Sequence, residues 1–111
     1  MAPVTHTFKL SAPLQTHDGE LTELKLKEPK ARLAVKFADP FQIRPMKDRD
    51  DQLEYVFNNP AVSQYASEMS GVDELILAEL SVGDFYRLRQ EIANIILGVV
   101  PDKDPSEQPV A

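Results

Sequence analysis

The side chains able to do chemistry are few and scattered. The histidines are His6 and His17, with no His-x3-His spacing to set two ligands together. They read as a strand-face histidine and a turn histidine. Ser70, before Gly71, and Ser81 stand where turn and cap residues belong, and no Gly-x-Ser-x-Gly or Ser-x-x-Lys pattern offers a nucleophile with its base. Glycines at 19, 71, 83 and 98 are too dispersed for a phosphate-cradling loop. The acidic pairs Asp50-Asp51 and Asp73-Glu74 lack the alternation and sixth-position glycine of a calcium loop. The chain has no cysteine, which excludes disulfides, thiolate catalysis and thiolate metal sites. The expectation is a non-enzymatic protein with no catalytic residue, no metal and no cofactor.

Binding is the remaining kind of work. The net charge is −6, unevenly spread: residues 1–47 carry eight Lys/Arg against five Asp/Glu, and residues 48–111 carry four against thirteen. An acidic second half disfavours duplex DNA and anionic membrane as partners. The basic stretch Lys25, Lys27, Lys30, Arg32, Lys36 has no interleaved aromatic before Phe37, so single-stranded nucleic acid fits poorly. No apolar run approaches the ~18 residues of a membrane span. The opening residues lack the charged and apolar regions of a signal peptide, and a reducing cytoplasm is the expected compartment.

The elements that must position a binding surface read as α+β: a small N-terminal antiparallel β-hairpin followed by a cluster of three to four α-helices. Val4, His6, Phe8 and Leu10 alternate with Thr5, Thr7 and Lys9; after the Asp18-Gly19 turn, Thr22, Leu24 and Leu26 alternate with Glu23, Lys25 and Lys27. Pro29 suits the first turn of a helix over Lys30 to Ala38. Residues 39–51, with Pro40, Pro45 and a charged run, read as a mobile connector. From about Asp51 the spacing of Leu53, Val56 and Phe57 predicts a helix, broken at Asn58-Asn59-Pro60. Asn59 is then the N-cap of the next helix, with Val62, Tyr65, Ala66 and Met69 on one face and Gly71 closing it.

The clearest pattern comes last. Ser81-Val82-Gly83-Asp84 resembles a capping box, and Leu80 with Phe85 a hydrophobic staple. Phe85, Leu88, Ile92, Ile95 and Val99 recur at steps of three and four, and Gly98 and Pro101 close the helix. Most of this stripe is expected to be core. It is wider than one face needs towards its end, so the candidate partner-binding set is Phe85, Leu88, Ile92, Ile95, Ile96 and Val99. Its outer edge is expected to meet a partner helix or a second copy of the chain. Residues 1–100 are expected to form one domain and residues 101–111, rich in proline, a disordered tail.

The order of these features resembles the tail assembly chaperone family of Mu-like and related contractile-tailed phages. The carriers of the resemblance are Leu10-Ser11-Ala12-Pro13-Leu14, the Asp18-Gly19 turn, Leu24-Lys25-Leu26-Lys27-Glu28-Pro29, Met69-Ser70-Gly71-Val72 and Leu80-Ser81-Val82-Gly83-Asp84-Phe85. It covers roughly residues 7–98. The threonine that follows Glu-Pro in the family is Lys30 here, which removes the usual cap of the first helix. The resemblance implies a chaperone in the host cytoplasm, absent from the mature virion. Such a chaperone binds the phage tape-measure protein, keeps it soluble and helps recruit tail-tube subunits. The alternative is a generic small protein-interaction adaptor of phage or bacterial origin.

Overall fold

Alternation of apolar and polar residues builds the first hairpin. The computed structural model describes residues 5–98, with strand β1 at Thr5–Thr16 and strand β2 at Gly19–Lys27, paired antiparallel. Phe8 lies opposite Leu24 and His6 opposite Leu26; Phe8, Leu14, Leu24 and Leu26 are buried on the inner face. Lys9, Lys25 and Lys27 are exposed. The register shifts between Lys9 and Leu14, so the segment holding Pro13, which has no N–H to give a ladder, falls in an irregular stretch. The turn is held by Thr16, whose Oγ1 accepts from the Asp18 amide and donates to the Gly19 carbonyl. Gly19 has φ of 116°, open to glycine and strained for other residues.

Helix α1, Ala31–Lys36, is a short turn that buries Leu33. Its N-cap position is Lys30, whose side chain makes no capping bond, in keeping with a lysine where the resemblance places threonine.

The segment after it departs from the sequence reading. Residues 39–51 are not a mobile connector, and no helix starts at Asp51. Phe41–Met46 forms strand β3 and Arg49–Phe57 forms strand β4, a second antiparallel hairpin. Phe41 pairs with Phe57, Ile43 with Tyr55 and Pro45 with Leu53. Leu53, Val56 and Phe57 satisfy a helical spacing, but Leu53, Tyr55 and Phe57 satisfy a strand spacing equally well, and a short run cannot decide between the two. Cross-strand aromatic packing decides it: the rings of Phe41, Tyr55 and Phe57 lie with centroids 5.6–6.0 Å apart. The turn, Lys47-Asp48, contains no glycine or asparagine to announce it.

Helix α2, Asn59–Ser70, buries Val62, Tyr65, Ala66 and Met69 as the spacing predicts. Its cap is Asn58 rather than Asn59: the Asn58 side chain accepts from the Ala61 amide, which moves Pro60 to the second helical position. Gly71 ends the helix in the left-handed region. Helix α3, Glu74–Leu77, is one turn that the sequence reading lacks, capped by Asp73. Helix α4, Val82–Leu97, is capped by Ser81, whose Oγ accepts from the Asp84 amide, and closed by Gly98.

The two sheets are separate two-stranded units. The core forms where α2, α3 and α4 pack on the inner face of β1–β2, around Leu24, Leu26, Val62, Leu88 and Ile92. The architecture is α+β, with four helices and two hairpins among the described residues. The expected tail, residues 101–111, and the far end of the terminal stripe lie outside the described residues.

Candidate interaction surface

The capping pattern at the start of α4 becomes a tie to the first hairpin. In a capping box the acidic residue reaches back to the cap amide. Here Asp84 is buried, and its carboxylate accepts from the backbone N–H of Ser11 at 3.0 Å and the Ser11 hydroxyl at 2.9 Å. Arg87 hydrogen-bonds the other Asp84 oxygen, donates to the Lys9 carbonyl at 3.3 Å and lies 5.0 Å from the centre of the Phe8 ring. The pair therefore occupies the outward backbone groups of Lys9 and Ser11, covering part of the free edge of β1. Burial pushes the Asp84 carboxyl up, but the donors from Arg87 and Ser11 outweigh it and hold it below the usual carboxylate range.

This tie fixes which side of α4 turns inward. Leu88 and Ile92 are wholly buried and Ile95 almost so. All three lie in the core cluster, and Phe85 packs partly against it. Ile96 is 38% exposed and borders a shallow depression with Pro40, Phe41 and Tyr65. Val99 lies outside the described residues. The structure thus divides the candidate set: Leu88, Ile92 and Ile95 hold the helix to the body, while Phe85 and Ile96 reach its margins.

Next to Phe85 lies a second depression, bordered by Leu77, Leu80, Val82 and Tyr86. Val82 is 65% exposed and Tyr86 49%, although neither belongs to the periodic stripe. The sequence reading missed both, because it followed the inward face and these two lie off it. Arg89 joins this margin to the second hairpin. Its guanidinium is 4.4 Å from the ring centres of both Tyr86 and Phe57, and it donates to Asn59 Oδ1 at 2.9 Å.

Chemistry beyond binding has little to work with among the described residues. No group of three or more His, Asp or Glu is placed to hold a metal ion. His6 Nε2 sits 3.6 Å from Glu28 Oε1, a pair on the rim of the first hairpin. No helix is long and apolar enough to cross a membrane. What the geometry offers is apolar surface on both sides of one well-anchored helix.

No curated protein and no solved structure gives a significant match. A family model does, described as phage tail assembly chaperone proteins, E, or 41 or 14, and it matches residues 7–96. That span runs from the first hairpin, through the second hairpin and helices α1–α3, to within one residue of the end of α4. The match reaches the same strand, turn and capped-helix motifs that carry the sequence resemblance, and the chain belongs to the phage tail assembly chaperone family.

Proposed function

We propose that this protein binds the phage tape-measure protein in the host cytoplasm. There it keeps that protein soluble and helps bring tail-tube subunits to it, without entering the finished virion and without catalysing a reaction. The observation that carries this reading is the family match over residues 7–96. The exposed apolar margins of α4 support it. A long helical client rich in apolar surface aggregates when bare. An amphipathic segment of such a client fits a shallow apolar depression through a few anchoring side chains. The net charge of −6 keeps a complex of many copies on one client in solution.

In this reading Phe85 and Ile96 contact the client, Val99 extends that contact, and Leu88, Ile92 and Ile95 support it from beneath. Co-expression with the tape-measure protein of the same genome tests it. The native chain is expected to raise the soluble yield of the client, and Ile96→Ser to weaken that effect while folding normally. A client whose soluble yield does not change would sink the chaperone reading and leave an adaptor for a folded partner.

A further inference from the structure

The depression beside Ile96 has a polar floor beneath apolar walls. Ala34 on α1, Pro40 and Phe41 where β3 begins and Ile96 on α4 form the walls, and Tyr65 of α2 forms the floor. The Tyr65 ring is fixed from beneath. It shares the buried face of α2 with Val62, Ala66 and Met69, and the Phe37 ring lies 6.2 Å from it, tilted by 56°. Tyr65 is 4% exposed. Its hydroxyl makes no hydrogen bond to the described residues and is not sealed from solvent, so its opening lies on the depression that it lines. A tyrosine hydroxyl in a buried position ordinarily finds a partner. Phenylalanine would fill the same space with no polar atom to satisfy.

We propose that this depression is the anchor pocket for the client: it takes an apolar side chain of a client helix together with the carboxamide of a nearby glutamine or asparagine, whose oxygen accepts from the Tyr65 hydroxyl. The proposal rests on the client reading above, and Ile96 makes the pocket continuous with the surface given there to the client.

Size, donor and charge select that chemistry. At about 280 Å³ the depression falls below the roughly 300–1,000 Å³ of a small-molecule site and suits one or two side chains of a docked segment. Burial, and then Asp39, push the Tyr65 phenol up, so the hydroxyl keeps its proton and stands as a donor. Lys30 and Asp39 both border the depression, and neither is in an ion pair among the described residues. A carboxylate brought to Tyr65 meets Asp39, and a cation meets Lys30. A neutral carboxamide meets neither repulsion, and it has an oxygen for Tyr65 and N–H groups for Asp39. The backbone carbonyls of a helical client are already engaged within its own helix, which leaves the side chain to supply the acceptor.

Overlapping peptides that span the tape-measure protein of the same genome test this, with binding to the full chain read by fluorescence anisotropy. The peptides that bind are expected to carry a glutamine or asparagine three or four residues from a large apolar residue, on one helix face. Tyr65→Phe is expected to keep the native melting temperature and to bind these peptides about three- to tenfold more weakly, the worth of one hydrogen bond. Replacing the peptide's carboxamide residue by alanine is expected to cost the native chain a similar factor and to cost Tyr65→Phe nothing further. Ala34→Trp, at an exposed position, fills the depression and is expected to abolish binding with the fold intact; it decides the matter should Tyr65→Phe not fold. Equal binding by Tyr65→Phe and the native chain overturns the proposal. So does a Tyr65→Phe melting temperature well below the native one, which would give the hydroxyl a partner inside the protein. Peptides that depend on Tyr65 through a carboxylate overturn the carboxamide. A native chain that solubilises the whole client but binds no peptide at the pocket overturns this site and leaves the client reading standing. A chain that does neither overturns both.

Discussion

β1–β2 and β3–β4 are both antiparallel hairpins with two residues between their strands and one shift of register, yet they meet opposite surroundings. The first lies under α2, α3 and α4 and gives the core Phe8, Leu14, Leu24 and Leu26. The second gives it the flank of Phe57 and leaves Leu53 and Tyr55 in water. Strand alternation alone therefore does not make a hairpin part of a core. The first is structural because helices cover its apolar face; the second has the same kind of face, covered at its base, where Phe57 packs on the core and under Arg89, and not towards its tip. Burying a leucine contributes about 1.5–3 kcal/mol to folding, and one left exposed contributes little of it.

The sharpest test of this contrast is one truncation made in each hairpin. Leu24→Ala, at a position 1% exposed, is expected to cost about 2–5 kcal/mol, as is Ile92→Ala on α4. Leu53→Ala is expected to stay within about 0.5 kcal/mol of the native chain. Chemical denaturation measures all three, and a large loss at Leu53 would mean that the second hairpin is buried in solution after all.

The Asp84 tie comes next in size. Asp84→Asn is expected to cost about 1–3 kcal/mol near neutral pH, because hydrogen bonds to a buried charge are lost and Arg87 keeps no carboxylate. The folded carboxyl is held below its ordinary range. Its contribution is therefore complete above the unfolded value of about 3.9 and is lost as pH falls through the lower, folded value. Native and Asp84→Asn stabilities are expected to converge on acidification below about pH 4. A gap that stays constant down to strong acid would contradict the role given to the charge.

The caps give smaller effects. Asn58→Ala removes the bond to the Ala61 amide and is expected to cost about 1 kcal/mol, whereas Asn59→Ala keeps that bond. Because Asn59 also accepts from Arg89, its loss is expected to loosen the clip between Tyr86 and Phe57. A smaller melting shift for Asn59→Ala than for Asn58→Ala distinguishes the two asparagines. The smallest effect belongs to Ile96→Ser, expected to leave the melting temperature within a few degrees while weakening client binding.

Much of the fold was legible because local rules and burial agree there. The β1–β2 alternation, the Gly19 turn, the α2 face from Val62 to Met69 and the Ser81 cap all repeat a pattern that the tertiary structure also rewards. The second hairpin was not legible, because Leu53, Val56 and Phe57 fit a helical period while Leu53, Tyr55 and Phe57 fit a strand period, and the Lys47-Asp48 turn carries no glycine or asparagine. The α4 stripe was legible as a helix but not as a surface: periodicity finds the face that turns inward, while Val82 and Tyr86, which stay outside, break the period.

The sequence by itself determined the family motifs, the absence of thiol chemistry, the first hairpin and the span of the terminal helix, since each depends on residues close together in the chain. Only the tertiary structure decided that Asp84 turns from its own helix to Ser11, 73 positions away. The same holds for the placing of Arg89 between Tyr86 and Phe57, and for the covering of one hairpin and not the other. Those outcomes depend on which surfaces are brought together when the chain packs. Contacts between residues far apart in sequence leave no period or spacing by which one sequence can announce them.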